Sequence, residues 1–152
     1  MIFFFLLCKI KKVIFLKKHF AHVLIVFLLG GFIYGLIEIL FRSYTHYSMF
    51  FAGGICFTLL YFINLKMKSR SLILRGIIGS VVITAVEFVF GVVFNIFLGL
   101  GVWDYSHRPF NILGQICPLF SLCWFAFSVP LIYISVFIFF RLNKNLRLFQ
   151  EF

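Results

Sequence analysis

Acidic residues are the scarcest feature of this 152-residue chain: it holds four Asp and Glu against fourteen Lys and Arg. Charged residues of both signs make up only 12% of it, whereas soluble domains carry about 25%. A water-soluble globular fold is therefore excluded, because too little polar surface is left to face water. Disorder is excluded as well, since 64% of the residues are hydrophobic and the mean hydropathy is +1.15. The chain contains no G-x-x-x-x-G-K-S/T phosphate loop, so any nucleotide that drives it must be held by another chain. No C-x-x-C occurs among the four cysteines. Cys117 and Cys123, six positions apart, fall about 120° apart around a helix, which favours buried apolar thiols over a metal or disulfide site. His19 and His22 share a helix face but have no third ligand nearby. No nucleophile and base stand together beyond the adjacent Ser106 and His107, so neither enzyme activity nor a cofactor is indicated.

The hydrophobic remainder falls into four runs, each long enough for the about 20 helical residues that cross a bilayer. They cover about 20–41, 47–65, 76–102 and 116–140. None alternates with a period of two, so helices are expected rather than a barrel. The fold class is an all-α membrane protein: four transmembrane helices in a bundle, preceded by a short interfacial helix over 1–18. The transmembrane domain is expected over 19–141 and a basic tail over 142–152. Lys17 and Lys18 precede an apolar run that lacks a small-residue cleavage pattern, which reads as an uncleaved anchor.

The net charge of +10 suits anionic lipid head groups in a chain this apolar, not nucleic acid. Twelve basic residues fall in the N-terminal segment, the second connection and the C-terminal segment, against Arg42 and Arg108 on the other side. The positive-inside rule then puts both termini in the cytoplasm of a multi-pass protein of the cell membrane. His46 and His107 fall outside, where they are expected to be solvated.

Three of the four acids lie away from the basic loops: Glu38, Glu87 and Asp104. An acid at a helix centre costs about 2.5–3.5 kcal/mol on insertion scales, so it turns toward a bundle interior or a polar cavity. Glu87 lies near the middle of the third run. It has no basic neighbour in that span and is expected to hydrogen-bond across the interior to another helix. Glu38 can pair with Arg42 one turn on. Ser80, Thr84, Glu87, Gly91, Asn95 and Gly99 form a small-and-polar stripe on the third span. On the first span Gly31 and Gly35 form a helix-packing motif, and on the fourth Ser121, Ser128 and Ser135 share a face. Such stripes pack helices; a polar interior around Glu87 and Asn95 is the sharper expectation. The third connection, from Gly101 to Gln115, is either a hairpin cap or a binding loop. In it Asp104 can meet Arg108, and Pro109, Asn111 and Gly114 favour turns. Pro130 is expected to kink the fourth span.

The run Val102-Trp103-Asp104-Tyr105-Ser106, followed by Pro109, Asn111, Gly114-Gln115-Ile116 and Trp124, resembles the putative ABC-transporter type IV family of small bacterial membrane proteins. The likeness extends to Gly31 through Glu38 and to Gly79-Ser80, Glu87, Gly91 and Asn95. It implies a permease-like role in a transport system. Ligand- or ion-binding candidates are Glu38, Glu87, Asn95, Asp104, Arg108, Asn111 and Gln115. Expected partners are the lipid bilayer, a separate ATPase subunit and further copies of the chain. The alternatives are a scaffold or sensor whose polar residues only pack helices, and an intramembrane enzyme using Glu87 as a proton-transfer group.

Overall fold

The computed structural model describes the backbone of residues 2–148 and the side chains of residues 20–141. Helix α1 covers Ile2–Arg42 and α2 covers Tyr47–Lys66. Helix α3 covers Leu72–Phe90 and continues as a π-helical turn over Gly91–Phe97, and α4 covers Pro118–Leu148. Four segments are long and apolar enough to cross a membrane: Phe20–Arg42, Tyr47–Lys66, Leu72–Phe97 and Pro118–Arg141. The protein is thus an all-helical, multi-pass membrane protein. Among the described residues the only β pairing is an isolated bridge between Ile112 and Ile116.

The short N-terminal helix expected over 1–18 is not set apart, because α1 runs without a break from Ile2 into the first span. No Gly, Pro or capping residue occurs before the span to end the helix. The third span begins at Leu72 rather than Gly76, because Ser71 caps it, its Oγ accepting from the Leu74 amide at 3.3 Å. It leaves the helix after Phe97 rather than Val102, where Gly99 and Gly101 take positive φ. His46 is not merely solvated: its Nδ1 accepts from the Ser48 amide at 3.3 Å and caps α2. The fourth helix continues unbroken through Pro130.

Helix α2 is the most buried of the four and forms the centre of the bundle. It packs along α1 and touches both α3 and α4, while α3 and α4 pack on each other. The α1–α2 seam closes at Gly30 and Gly53. A Cβ on Gly30 would lie 2.6 Å from the Gly53 carbonyl oxygen, and one on Gly53 would lie 2.7 Å from the Gly30 oxygen. Of the motif expected to do this, Gly31 abuts Phe50 but Gly35 faces nearly open space. The α3 stripe faces α4, with Ser80 donating to the Ser121 carbonyl at 2.5 Å and Thr84 to the Ser121 hydroxyl at 3.0 Å. Outward-facing Phe32, Leu36, Leu40, Val81 and Phe137 are exposed, as lipid-facing side chains should be.

Candidate functional site

Glu87 is 3% exposed and is held from two sides. Tyr34 of α1 donates to its Oε1 at 3.2 Å, and the Trp124 indole of α4 donates to its Oε2 at 2.5 Å. Both donors come from other helices, which is the interior hydrogen bonding expected of an acid with no basic neighbour in its own span. The Tyr34 and Trp124 rings also stack, with centroids 5.6 Å apart and planes 26° apart. A single carboxyl group therefore fixes an aromatic bridge between α1 and α4.

That bridge stands between two cavities in the groove separating α1 from α4. One, of about 250 Å³, lies toward the α3–α4 connection and is lined by Glu38, Arg42, Trp103, Tyr105 and Cys123 among others. The other, of about 200 Å³, is almost wholly apolar and is floored by Gly53, Cys56 and Phe57 of α2, with Pro130 and Ile134 on its α4 side. Tyr34, Ile37, Trp124 and Phe127 line both. The two cavities thus share a wall, and the charged side chains, Glu38 and Arg42, line only the larger of them.

At that end Arg42 pairs with Glu38, donates to the Val102 carbonyl at 2.7 Å and lies over the Tyr44 ring. Thr45 donates to the second Glu38 oxygen at 2.6 Å. The pair is neutral overall and ties α1 to the start of the third connection. Tyr105 stacks on Phe120 with centroids 4.4 Å apart, and its hydroxyl has no protein partner among the described residues. Burial first, and the nearby Glu87 second, hold its phenol above the usual tyrosine range. It is therefore a neutral hydroxyl facing the cavity.

The connection itself is ordered from below by amides. Asn95 donates to the Trp103 carbonyl at 3.0 Å and to Gln115 Oε1 at 2.7 Å, and accepts from the Val102 amide at 2.6 Å. The Trp103 indole donates to the Gln115 carbonyl at 2.9 Å. Asn95 lies in the π-helical turn, whose wider winding turns its side chain under the returning chain. Gly91 is required beside it, since a Cβ there would stand 2.8 Å from Gln115 Cβ. At the tip, Asp104 does not meet Arg108. It accepts instead from the amide and hydroxyl of Ser106, an Asx turn that uses its carboxylate locally. Those bonds hold its carboxyl below the usual range, the Ser106 hydroxyl contributing most. Asn111 donates to the Ser106 and Arg108 carbonyls and accepts from the Gly114 amide.

The candidate residues thus fall into three groups. Glu38 lines the larger of the two cavities while Glu87 lies buried behind the Tyr34–Trp124 bridge and lines neither, Asn95 and Gln115 brace the connection, and Asp104, Arg108 and Asn111 form its tip. Sequence reasoning passed over Tyr34 and Tyr105 as groove residues. The signal for Tyr34 was its position one turn before Glu38, on the same helix face. Among the described residues no three His, Cys, Asp or Glu side chains converge as metal ligands would. Cys56, Cys117 and Cys123 are free thiols.

No curated protein and no solved structure matches the chain. A family profile described as "Putative ABC-transporter type IV" matches residues 25–150, which takes in the groove, the bracing amides and the whole third connection. The chain belongs to that family.

Proposed function

We propose that the chain is a permease-like subunit of a transport system, and that the α1–α4 groove admits a largely apolar molecule past the Tyr34–Trp124 bridge. The observation that carries this reading is Glu87, one buried acid bonded to both aromatic rings that separate the two cavities. Ionisable groups within a span are costly and mark pathways more often than not. Here the acid holds the two rings that both cavities share, so a movement of α1 against α4 would have to part them. Glu38, Arg42 and Tyr105 supply hydrogen-bonding groups for a polar end of the molecule, while Asn95 and Gln115 act by holding Trp103 and Tyr105 in place. A separate ATPase subunit supplies the energy, and both termini are cytoplasmic in the cell membrane.

The satisfied bonds of Asn95, Gln115 and Glu87 also favour a second reading, a scaffold whose polar residues only pack helices. Affinity purification in mild detergent, with mass spectrometry of copurifying proteins and small molecules, separates the two. The transport reading expects an ATPase, and a small molecule that is lost when Cys123→Trp fills the larger cavity. Recovery of neither, from a folded parent protein, favours the scaffold.

A further inference from the structure

At the opposite end of the bundle from the Glu38–Arg42 pair lies a second polar pair with no place in the transport reading. Asn64 of α2 is 2% exposed, and its Oδ1 accepts from Arg75 Nε of α3 at 3.2 Å. The other amide atom, Asn64 Nδ2, is buried without a partner among the described residues, and so is Arg75 Nη2. The only other such atom among the described residues is Thr58 Oγ1, which belongs to a residue lining a separate apolar pocket beside Phe20 and Phe27. Two buried donors, one of them on a cation, are costly to leave unpaired. Both want an acceptor, and the guanidinium wants a negative one.

None of the acids among the described residues can serve. Glu38 and Asp104 stand at the far end and Glu87 is committed to Tyr34 and Trp124. The position instead suits a ligand from the membrane surface. Asn64 lies two residues before the end of the second span and Arg75 three residues after the start of the third. Exposed Lys66, Lys68 and Arg70 crowd the turn between them. Arg75 also sits in the first turn of α3, whose dipole favours an anion there. A guanidinium fork matches the oxygens of a phosphate in two-point geometry, and an amide N–H supplies a third bond.

We propose that Arg75 and Asn64 form a binding site for a phosphate group at the membrane surface, the head group of an anionic phospholipid or a soluble phosphate. The site is independent of the α1–α4 groove.

The test uses the full chain in mild detergent, titrated with dioleoyl phosphatidylglycerol or with dioleoylglycerol, which lacks the phosphate, and read by native mass spectrometry. The parent should bind phosphatidylglycerol about tenfold more tightly than dioleoylglycerol, the scale of a charged hydrogen bond. Asn64→Asp places a carboxylate on the guanidinium and keeps the pair buried and satisfied, so the variant should fold and lose the preference. Lys68→Gln removes the same amount of charge from the turn and should retain it. Arg75→Lys, which keeps the charge but not the fork, should weaken phosphatidylglycerol binding about tenfold. Inorganic phosphate at millimolar concentration identifies the source: displacement of the lipid points to a soluble anion, and no displacement to the head group. Equal binding of the two lipids by the parent would overturn the proposal, as would a preference that survives Asn64→Asp.

Discussion

A carboxyl group in an apolar span is costly unless its oxygens are occupied, and both oxygens of Glu87 accept from rings on other helices. Glu87→Ala strips the Trp124 indole and the Tyr34 hydroxyl of their acceptor at once. Each orphaned buried donor costs about 1–3 kcal/mol, so this variant should lose roughly 2–5 kcal/mol in detergent unfolding. Glu87→Gln can accept from the indole and donate to the phenol oxygen, and should lose less than about 1 kcal/mol. An alanine variant as stable as the parent would show that the carboxyl group holds nothing together. Glycine behaves by the same local logic. Gly53→Ala forces a Cβ against the Tyr34 side chain and the Gly30 carbonyl, with an expected loss of about 1–3 kcal/mol. Gly35→Ala meets only Thr45 Oγ1 at 4.0 Å and should be neutral or stabilising by up to about 1 kcal/mol. Thermal unfolding of the two variants side by side distinguishes them.

The third connection, with the π-helical turn beneath it, closes one end of the groove through Trp103 and Tyr105. Asn95→Ala removes three bonds at once, to Val102, Trp103 and Gln115, and should free the connection while the helices stay folded. Faster amide hydrogen exchange confined to residues 98–116, with unchanged helical circular dichroism, is the expected result. Uniform exchange across the chain would count against a local brace. The tip has its own pH signature. A carboxyl held below its usual range adds stability that is complete at neutral pH and disappears as the pH falls through the lowered value. Asp104 should therefore keep the Ser106 turn through mildly acidic pH, and Asp104→Asn should abolish the acid dependence of exchange at the Ser106 amide.

Much of this element was legible in the sequence. Turn residues pointed to an ordered connection, either a hairpin cap or a binding loop, and helical spacing put Asn95 on the Glu87 face. The π-helical turn was not legible, because a change in winding over seven residues leaves no periodic trace in an apolar run. The Asp104 turn was missed because attraction to Arg108 looked stronger on paper than a bond to a hydroxyl two residues away, yet the chain geometry favours the nearer partner. The Gly30–Gly53 contact was also hidden. Spacing within one helix identifies small faces but not which glycine meets the neighbouring helix.

At the scale of the whole molecule, orientation decides which solution the polar end of the groove faces. Arg42 is one of only two basic residues on the cap side, and it is neutralised by Glu38 within its own helix. It adds little to the bias, so the contest is close to twelve basic residues against Arg108 alone. In the orientation proposed above from the positive-inside rule, the cap and the Glu38–Arg42 end face the outside, and the α2–α3 turn with Arg75 faces the cytoplasm. In a chain with its own cysteines replaced, His107→Cys should react with a membrane-impermeant maleimide on intact cells. Lys68→Cys should react only after the membrane is opened. The reverse pattern would turn the groove to face the cytoplasm. Unpairing Arg42 by Glu38→Gln should leave the labelling pattern unchanged, because one more free cation cannot outweigh twelve on the other face.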